Sequence, residues 1–530
     1  MNKVATYLNE HLSGEVITQE AELNRVASDG SVLMDKPEMI VRPANVNDIR
    51  KVMRFCSQLA EKGHVLPVTV RGNGTDASGG ALGRGIVIDM ERYMNNIKGI
   101  DAKQQLIHVE AGAPYHGVNM ALATHRGLTL PADKYYGQSG TIGGAISSGA
   151  AGSLVSRYGT VGESIQQLEV VLSNGEVLQT GRLSKRALGR KKGLTTLEGE
   201  IYRQIDNLLA DNQETIDKIS SDAKETAGHS GLSRVRGKDG SFDLTPLFVG
   251  SQGSLGVIGE VIMKSEFKRT HLTVVVSSHE SWPDAQAAAD LAEQCKAGAV
   301  ELIDGRLYQR AAKLGKNLDY APKEAFSGAV MLAIFDDFNE RARARMSKKL
   351  IKKLDKTIEV STLDIESSEL VDLHSVLALS AQPAGASQVV PGAFAGLWLL
   401  PSHLDGFLGD LKKLEEDHKV ELPVFVDVTS GFVDLLPIFA VNKVSERQKI
   451  IKLLADLTKV MAQHGGTIAG HGGDGRLKSG FVRKNADEAE VALWDSVKQV
   501  FDENNVLNPR VKSDLAPKEL VSELNAWCRS

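Results

Sequence analysis

Two glycine-rich segments constrain this chain more than any other feature: Arg71-Gly-Asn-Gly-Thr-Asp-Ala-Ser-Gly-Gly80 and Gly140-Thr-Ile-Gly-Gly-Ala-Ile-Ser-Ser-Gly-Ala-Ala-Gly152. Loops this poor in side chains and this rich in hydroxyls let backbone N–H groups approach a diphosphate, so a large dinucleotide is the expected guest. Gly72, Gly74 and Ala77 meet the spacing of the nicotinamide fingerprint, which requires the third small residue to open a helix. The stretch Ser78 to Gly85 carries four glycines instead, each costing a helix about 1 kcal/mol relative to alanine. It then runs into the strand-like Ile86-Val-Ile-Asp-Met90. The first loop is therefore expected to bind phosphate with loop amides and not with a helix end.

At 530 residues the chain exceeds a single-core domain, and 42% hydrophobic with 24% charged residues is the balance of a soluble protein. A net charge of −5 argues against nucleic acid as a partner. Apolar runs such as Gly328 to Phe335 fall well short of the roughly 18 residues a membrane span needs and read as buried strands. The start, Met1 to Glu10, lacks the apolar centre of a signal peptide, so the cytoplasm is the expected compartment. Cys56, Cys295 and Cys528 form no CxxC pair, which argues against a disulfide framework or an iron–sulfur cluster.

The spacing of Val46, Ile49, Val52, Met53, Cys56 and Leu59 predicts a helix stopped by Gly63. Strands are expected over 65–70 and 106–112, a helix over 115–125, and a hairpin around Asn174-Gly175. Residues 182–192 read as an exposed basic insertion. The texture changes beyond Lys268, and a domain boundary is expected near 270. A basic helix over 339–356, with Arg341, Arg343, Arg345, Lys348, Lys349, Lys352, Lys353 and Lys356, reads as a solvated face. Its alternative is peripheral contact with anionic lipid at the inner membrane face or with an acidic redox partner.

The order and spacing of Pro43, the Arg71–Gly74–Thr75 loop, Leu130-Pro131, Thr141-Ile-Gly-Gly144, Arg157-Tyr-Gly159, Gly253-Ser-Leu-Gly-Val-Ile258 and Asn508-Pro509 resemble one family. This is the vanillyl-alcohol-oxidase-type (PCMH-type) flavoproteins, in the branch of FAD-linked D-lactate, glycolate and D-2-hydroxyglutarate dehydrogenases. The resemblance implies an α+β fold. Its FAD-binding domain of two subdomains would span 1–270 (core 37–268), a cap would span 271–465, and a C-terminal segment, 466–530, would return to the flavin. It also implies FAD clamped between two jaws. Arg71, Gly72, Asn73, Gly74, Thr75 and Asp76 would form one jaw, and Thr141, Gly143, Gly144, Ser147, Ser148 and Gly152 the other. Ile258 would lie at the adenine end, with Pro131 and Asn508 as further contacts. Relatives that tether FAD often place a histidine where Thr75 stands; none occurs between His64 and His108, so the expected attachment is non-covalent.

The family's cap supplies two histidines, often to a metal, then a Glu-His-Gly segment, and an arginine for the substrate carboxylate. Here Asp427 and Asp434 stand at the histidine positions, His471-Gly472 replaces Glu-His, and Leu377, after His374, falls at the arginine position. Read as a regular strand, Asp427 and Asp434 would point to opposite faces. No metal is assigned, though a hard-cation site at one of them stays open. His471 is the candidate proton acceptor and Arg476 the candidate cation; a turn histidine that merely shapes the pocket is the other reading. The expected function is oxidation of a small-molecule 2-hydroxy acid or related alcohol by hydride transfer to FAD, with a quinone, carrier protein or oxygen as electron acceptor. The alternative is a catalytically altered flavin-binding protein with a structural or regulatory role. Assembly stays open, a homodimer being one option.

Overall fold

The computed structural model describes residues 3–130, 140–152, 154–222, 226–316, 328–356, 358–381 and 387–527. Pro131 lies outside the described residues.

Strands β1 (Glu15–Ile17), β2 (Met39–Arg42), β3 (Val68–Arg71) and β4 (Ile86–Asp89) form a sheet in the order β1-β2-β4-β3, parallel except for the β1/β2 pair. The crossover helix Val46–Glu61 starts where Asn45 accepts a hydrogen bond from the Asp48 amide, and it buries Ile49, Val52, Met53 and Cys56. The edge of β3 is covered by the C-terminal segment: Val68 donates to the Val506 carbonyl and Asn508 to the Val68 carbonyl, each at 2.8 Å. The far end of the sequence thereby becomes part of the first sheet.

A second sheet joins β5 (Ile97–Asp101), β6 (Leu106–Glu110), β8 (Ile165–Val171), β9 (Val177–Gln179) and β10 (Val257–Lys264) in the antiparallel order β5-β6-β10-β8-β9. The β8/β9 hairpin turns at Asn174-Gly175, with Gly175 at φ +81°. Strand β7 (Leu128–Thr129) pairs separately with β11 (Glu266–Phe267). The basic stretch read as an exposed insertion contains a short helix, Lys185–Lys192; none of its residues is buried.

The third sheet holds β12 (His271–His279), β13 (Ala299–Asp304), β14 (Ala329–Phe335), β15 (Val360–Glu366), β17 (Leu397–Trp398), β18 (Val424–Asp427) and β19 (Phe432–Leu435), in the order β15-β12-β14-β13-β18-β19-β17. Short strands β16 (Gln388–Val389) and β20 (Phe439–Ala440) pair separately. The central strands are buried on both faces, and their side chains alternate between two cores: Val274 and Val276 face one, Val275 the other. In the basic helix, Glu340–Ile351, Arg343 is not part of the charged surface; it is buried and donates to the Asp337 carbonyl at 2.7 Å.

Candidate functional site

The first glycine loop leaves β3 and lines a cleft with Gly72, Asn73, Gly74, Thr75 and Asp76. The opposite wall carries Thr141, Gly143, Gly144, Ser147, Ser148 and Ile258. The two walls touch: a Cβ on Gly72 would sit 2.2 Å from Thr141 Oγ1. Arg71 does not line the cleft. Its guanidinium lies beneath the loop, buried, 3.4 Å from the Val26 carbonyl, and burial holds its pKa below the usual arginine value. A side chain on Gly74 would collide with it at 2.0 Å. Gly152 lies off the cleft as well.

The second segment differs from an open amide loop. Residues Ile142–Ser148 form a helix capped by Thr141, whose Oγ1 accepts from the Gly144 amide at 3.1 Å. The first-turn amides are engaged inside the protein: Ile142 donates to Ala113, Gly143 to Ala111 and Ala145 to Thr141. A helix end whose donors are satisfied has none to offer an anion. This wall therefore gives close approach through its small side chains.

Asn508 and Arg476 also lie off the cleft, one layer behind the first loop. Asn508 Nδ2 donates to the Gly80 and Gln252 carbonyls at 2.8 Å each, and its Oδ1 accepts from Thr69 Oγ1 and Arg476 Nη2 at 3.2 Å. Arg476, 1% exposed, donates from Nη1 to the Gly79 carbonyl at 2.7 Å. Its expected place facing substrate is corrected accordingly: the guanidinium braces the loop and reaches neither cavity. Gln252, which lines the cleft, was not singled out in the sequence. It donates to Asp76 Oδ2 at 3.0 Å and Ser78 Oγ at 2.8 Å, and accepts from the Gly475 amide at 2.7 Å.

The cleft adjoins a second cavity. Thr75, Asp76, Gly140, Ser148 and Ala150 belong to both. His471 lines this second cavity with Asp434 and Lys478. Its ring meets the Phe432 ring edge-on at 4.7 Å, and its amide donates to the Gly396 carbonyl at 3.2 Å. Gly396 has φ +72°, and a Cβ there would press on the His471 carbonyl at 2.4 Å, so only glycine fits. Lys478 and Asp434 grip opposite ends of one peptide unit: Lys478 donates to the Ala395 carbonyl, and Asp434 Oδ1 accepts from the Gly396 amide at 2.6 Å. Lys478 also donates to the Ile468 carbonyl at 2.9 Å, and burial brings its pKa down to about 8.

Asp427 and Asp434 do not share one regular strand. They sit in a hairpin that turns at 428–431, with Asp427 opposite Phe432 and Asp434 opposite Phe425. That pairing puts both carboxylates on the same face of the sheet. Only Asp434 reaches the cavity. Asp427 is fully buried beside Glu301, whose Oε2 lies 2.6 Å from His374 Nε2, so His374 is a core residue. Among the described residues no group of three His, Cys, Asp or Glu side chains is arranged to hold a metal.

Two family models match the chain: an FAD binding domain over residues 37–181, and the C-terminal domain of FAD linked oxidases over 268–511. The chain belongs to the FAD-linked oxidase family. FAD is the cofactor of this flavoprotein. A D-2-hydroxyglutarate dehydrogenase of Haemophilus influenzae is 25% identical over 526 residues, covering 94% of this chain and 50% of that protein. The chain thus spans about half the length of that relative. The glycolate oxidase subunit GlcD of Bacillus subtilis is 24% identical over 501 residues, covering 92% of this chain and 91% of the subunit. The 4-ethylphenol oxidase from Gulosibacter chungangensis shares the fold, with a TM-score of 0.67, 15% identity and 97% of each chain covered. Among the described residues of the flavoprotein, no helix is long and apolar enough to cross a membrane.

Proposed function

We propose that this flavoprotein oxidises a 2-hydroxy acid or a related alcohol to the corresponding oxo compound. The observation that carries the reading is the shared wall: the FAD cleft and the cap cavity meet at Thr75, Asp76, Gly140, Ser148 and Ala150, so a substrate in the cap cavity lies at the end of the cofactor cleft. FAD, when bound, supplies the two-electron acceptor for the hydrogen on the carbinol carbon. His471 takes the hydroxyl proton as the carbonyl forms, a task suited to an imidazole near neutral pH. The apolar walls, among them Val390, Leu435 and Leu436, exclude water. A quinone, a carrier protein or oxygen then removes the electrons. The D-2-hydroxyglutarate dehydrogenase and glycolate oxidase relatives support this chemistry.

The first loop would hold FAD through Gly72 to Asp76, without a covalent bond because no histidine stands in it. Residues 1–270, 271–465 and 466–530 serve in this reading as cofactor domain, cap and returning segment. Anaerobic addition of D- and L-2-hydroxy acids and neutral alcohols to the holoprotein tests the function. Bleaching of the visible flavin band by at least one of them is expected. A yellow protein that no member of a broad panel bleaches would instead be a flavin-binding protein with a structural or regulatory role. Acid precipitation should release the flavin into solution; flavin retained in the pellet would overturn non-covalent binding.

A further inference from the structure

The charges on the cap cavity's wall discriminate among the substrates that this reading allows, and the inference rests on it. Lys478 is 2% exposed and lines the cavity. An ammonium group has three N–H donors, and two are committed to the Ala395 and Ile468 carbonyls. Among the described residues the third has no partner, so it is a buried cationic donor available to an oxygen in the cavity. Two carboxylates share that wall. Asp434 is fixed through the Gly396 amide, and Asp76 through the Ser78 and Gly80 amides at 2.7 and 3.0 Å and through Gln252. The remainder of the lining is apolar, including Val390, Pro391, Leu435 and Leu436.

One cation can neutralise one carboxylate of a ligand. A second negative charge would meet Asp434 or Asp76 in a poorly hydrated space, where like charges repel strongly. We infer that the cavity selects a 2-hydroxy monocarboxylate with an apolar side chain, its carboxylate held by Lys478 and a second anionic group excluded by Asp434 and Asp76. Lys478 thus becomes a substrate-binding residue, and its grip on the Ala395 carbonyl aims it.

Stopped-flow reduction of the holoprotein tests this with D-lactate and D-2-hydroxyisocaproate as monocarboxylates, D-malate and D-2-hydroxyglutarate as dicarboxylates, and 1,2-propanediol as a neutral alcohol. The monocarboxylates should bind at least about 10-fold more tightly than the dicarboxylates. Lys478→Gln should weaken the monocarboxylates by about 10- to 100-fold while leaving the diol within about 3-fold. Asp434→Asn, whose side-chain oxygen still accepts from the Gly396 amide, should narrow the gap between the two acid classes. Dicarboxylates bound as well as monocarboxylates, or equal losses for acid and diol in Lys478→Gln, would overturn the inference.

Oxamate, an unreactive monocarboxylate, separates this from the reading beneath it. Lys478 is faced by the carboxylates of Asp434, Asp76 and the buried Asp474, and His471 shares the cavity wall. Oxamate's perturbation of the bound flavin's spectrum should weaken as pH rises through about 8, where Lys478 loses its charge, and should do so in His471→Ala as well. Oxamate binding with that pH dependence, in a protein no substrate reduces, would sink the oxidation while retaining the anion site. Oxamate affinity that is flat across that range would remove Lys478 from anion binding even if hydroxy acids are oxidised.

Discussion

Gln252 and Asp76, separated by 176 residues of sequence, are joined by a 3.0 Å hydrogen bond from Nε2 to Oδ2. The same amide nitrogen reaches Ser78 Oγ, and the amide oxygen accepts from Gly475, so one side chain ties the first loop to the segment that carries His471. Gln252 itself adopts φ +51°, held by its own amide on the Ser147 carbonyl. Gln252→Leu keeps the bulk and removes every one of these side-chain bonds. The first loop then loses its brace, and FAD affinity should fall about 10- to 100-fold, the worth of one to two such bonds. Fluorescence titration of the apoprotein with FAD measures it, and an unchanged Kd would show that the loop needs no brace from this residue.

His471 and Arg476 should behave as different kinds of residue although five positions apart. His471→Ala removes the proposed proton acceptor and should slow flavin reduction by about 100-fold or more, with FAD bound and the melting temperature near that of the parent. Arg476→Met strands the buried Gly79 carbonyl and leaves Asn508 Oδ1 with Thr69 Oγ1 as its donor, at a cost of about 1–3 kcal/mol. It should lower the melting temperature and weaken FAD. Thermal melts with and without added FAD, beside stopped-flow reduction, distinguish the two. Equal stability of Arg476→Met and the parent would show that the brace is dispensable.

What could be read from the chain follows how local the determinants are. The Val46–Glu61 helix and the Asn174-Gly175 hairpin depend on neighbouring residues, and both formed where periodicity and turn chemistry put them. The glycines of the first loop announced themselves by number. Thr141 was visible as part of a loop, yet its role as a helix cap depended on how Ala111 and Ala113 took up the following amides. Gln252 and Lys478 carried no signal, because Ser78 lies 174 residues from the first and Ala395 lies 83 from the second, and only the tertiary fold brings either pair together. Arg476 was visible as a cation beside the site, but its direction is set by Gly79 and Asn508, which only the tertiary fold brings behind the loop. The Asp427–Asp434 segment misled for a related reason: a strand pattern does not reveal a turn built on Thr429, Ser430 and Gly431.

Asp427 links stability to pH. Burial, reinforced by Glu301, raises its pKa to about 6, above the unfolded carboxylate. Between the unfolded and folded values the native state binds more protons than the unfolded one, so this group's contribution falls as pH rises through that window. Its cost above the window is up to about 3 kcal/mol, from roughly two pKa units. Asp427→Asn keeps an oxygen to accept from Thr429 Oγ1 and the Ser430 amide. The variant should be more stable than the parent near pH 7.5, with the difference shrinking toward about pH 4.5. Denaturant melts at the two pH values give the comparison, and a variant less stable than the parent at the higher pH would show that the ionised carboxylate is fully compensated.

The contact between Gly72 and Thr141 sets how closely the two walls of the cofactor cleft meet. A methyl group on Gly72 would lie 2.2 Å from Thr141 Oγ1, well inside van der Waals contact, so Gly72→Ala must push the first loop away from the opposite wall. Thr141 cannot swing aside freely, because its Oγ1 is committed to the Gly144 amide. FAD affinity should drop by about 100-fold, since overpacking of this kind costs about 1–3 kcal/mol. Thr141→Ala alone loses the cap, about 1 kcal/mol, and should weaken FAD less. Combined with Gly72→Ala it removes the colliding oxygen, so the double variant should bind FAD more tightly than Gly72→Ala does. That negative coupling is the signature of a steric conflict between these two residues, as opposed to a general loss of loop flexibility. Additive losses in the double variant would place the damage in the loop's own backbone and would mean that the two walls do not need to touch.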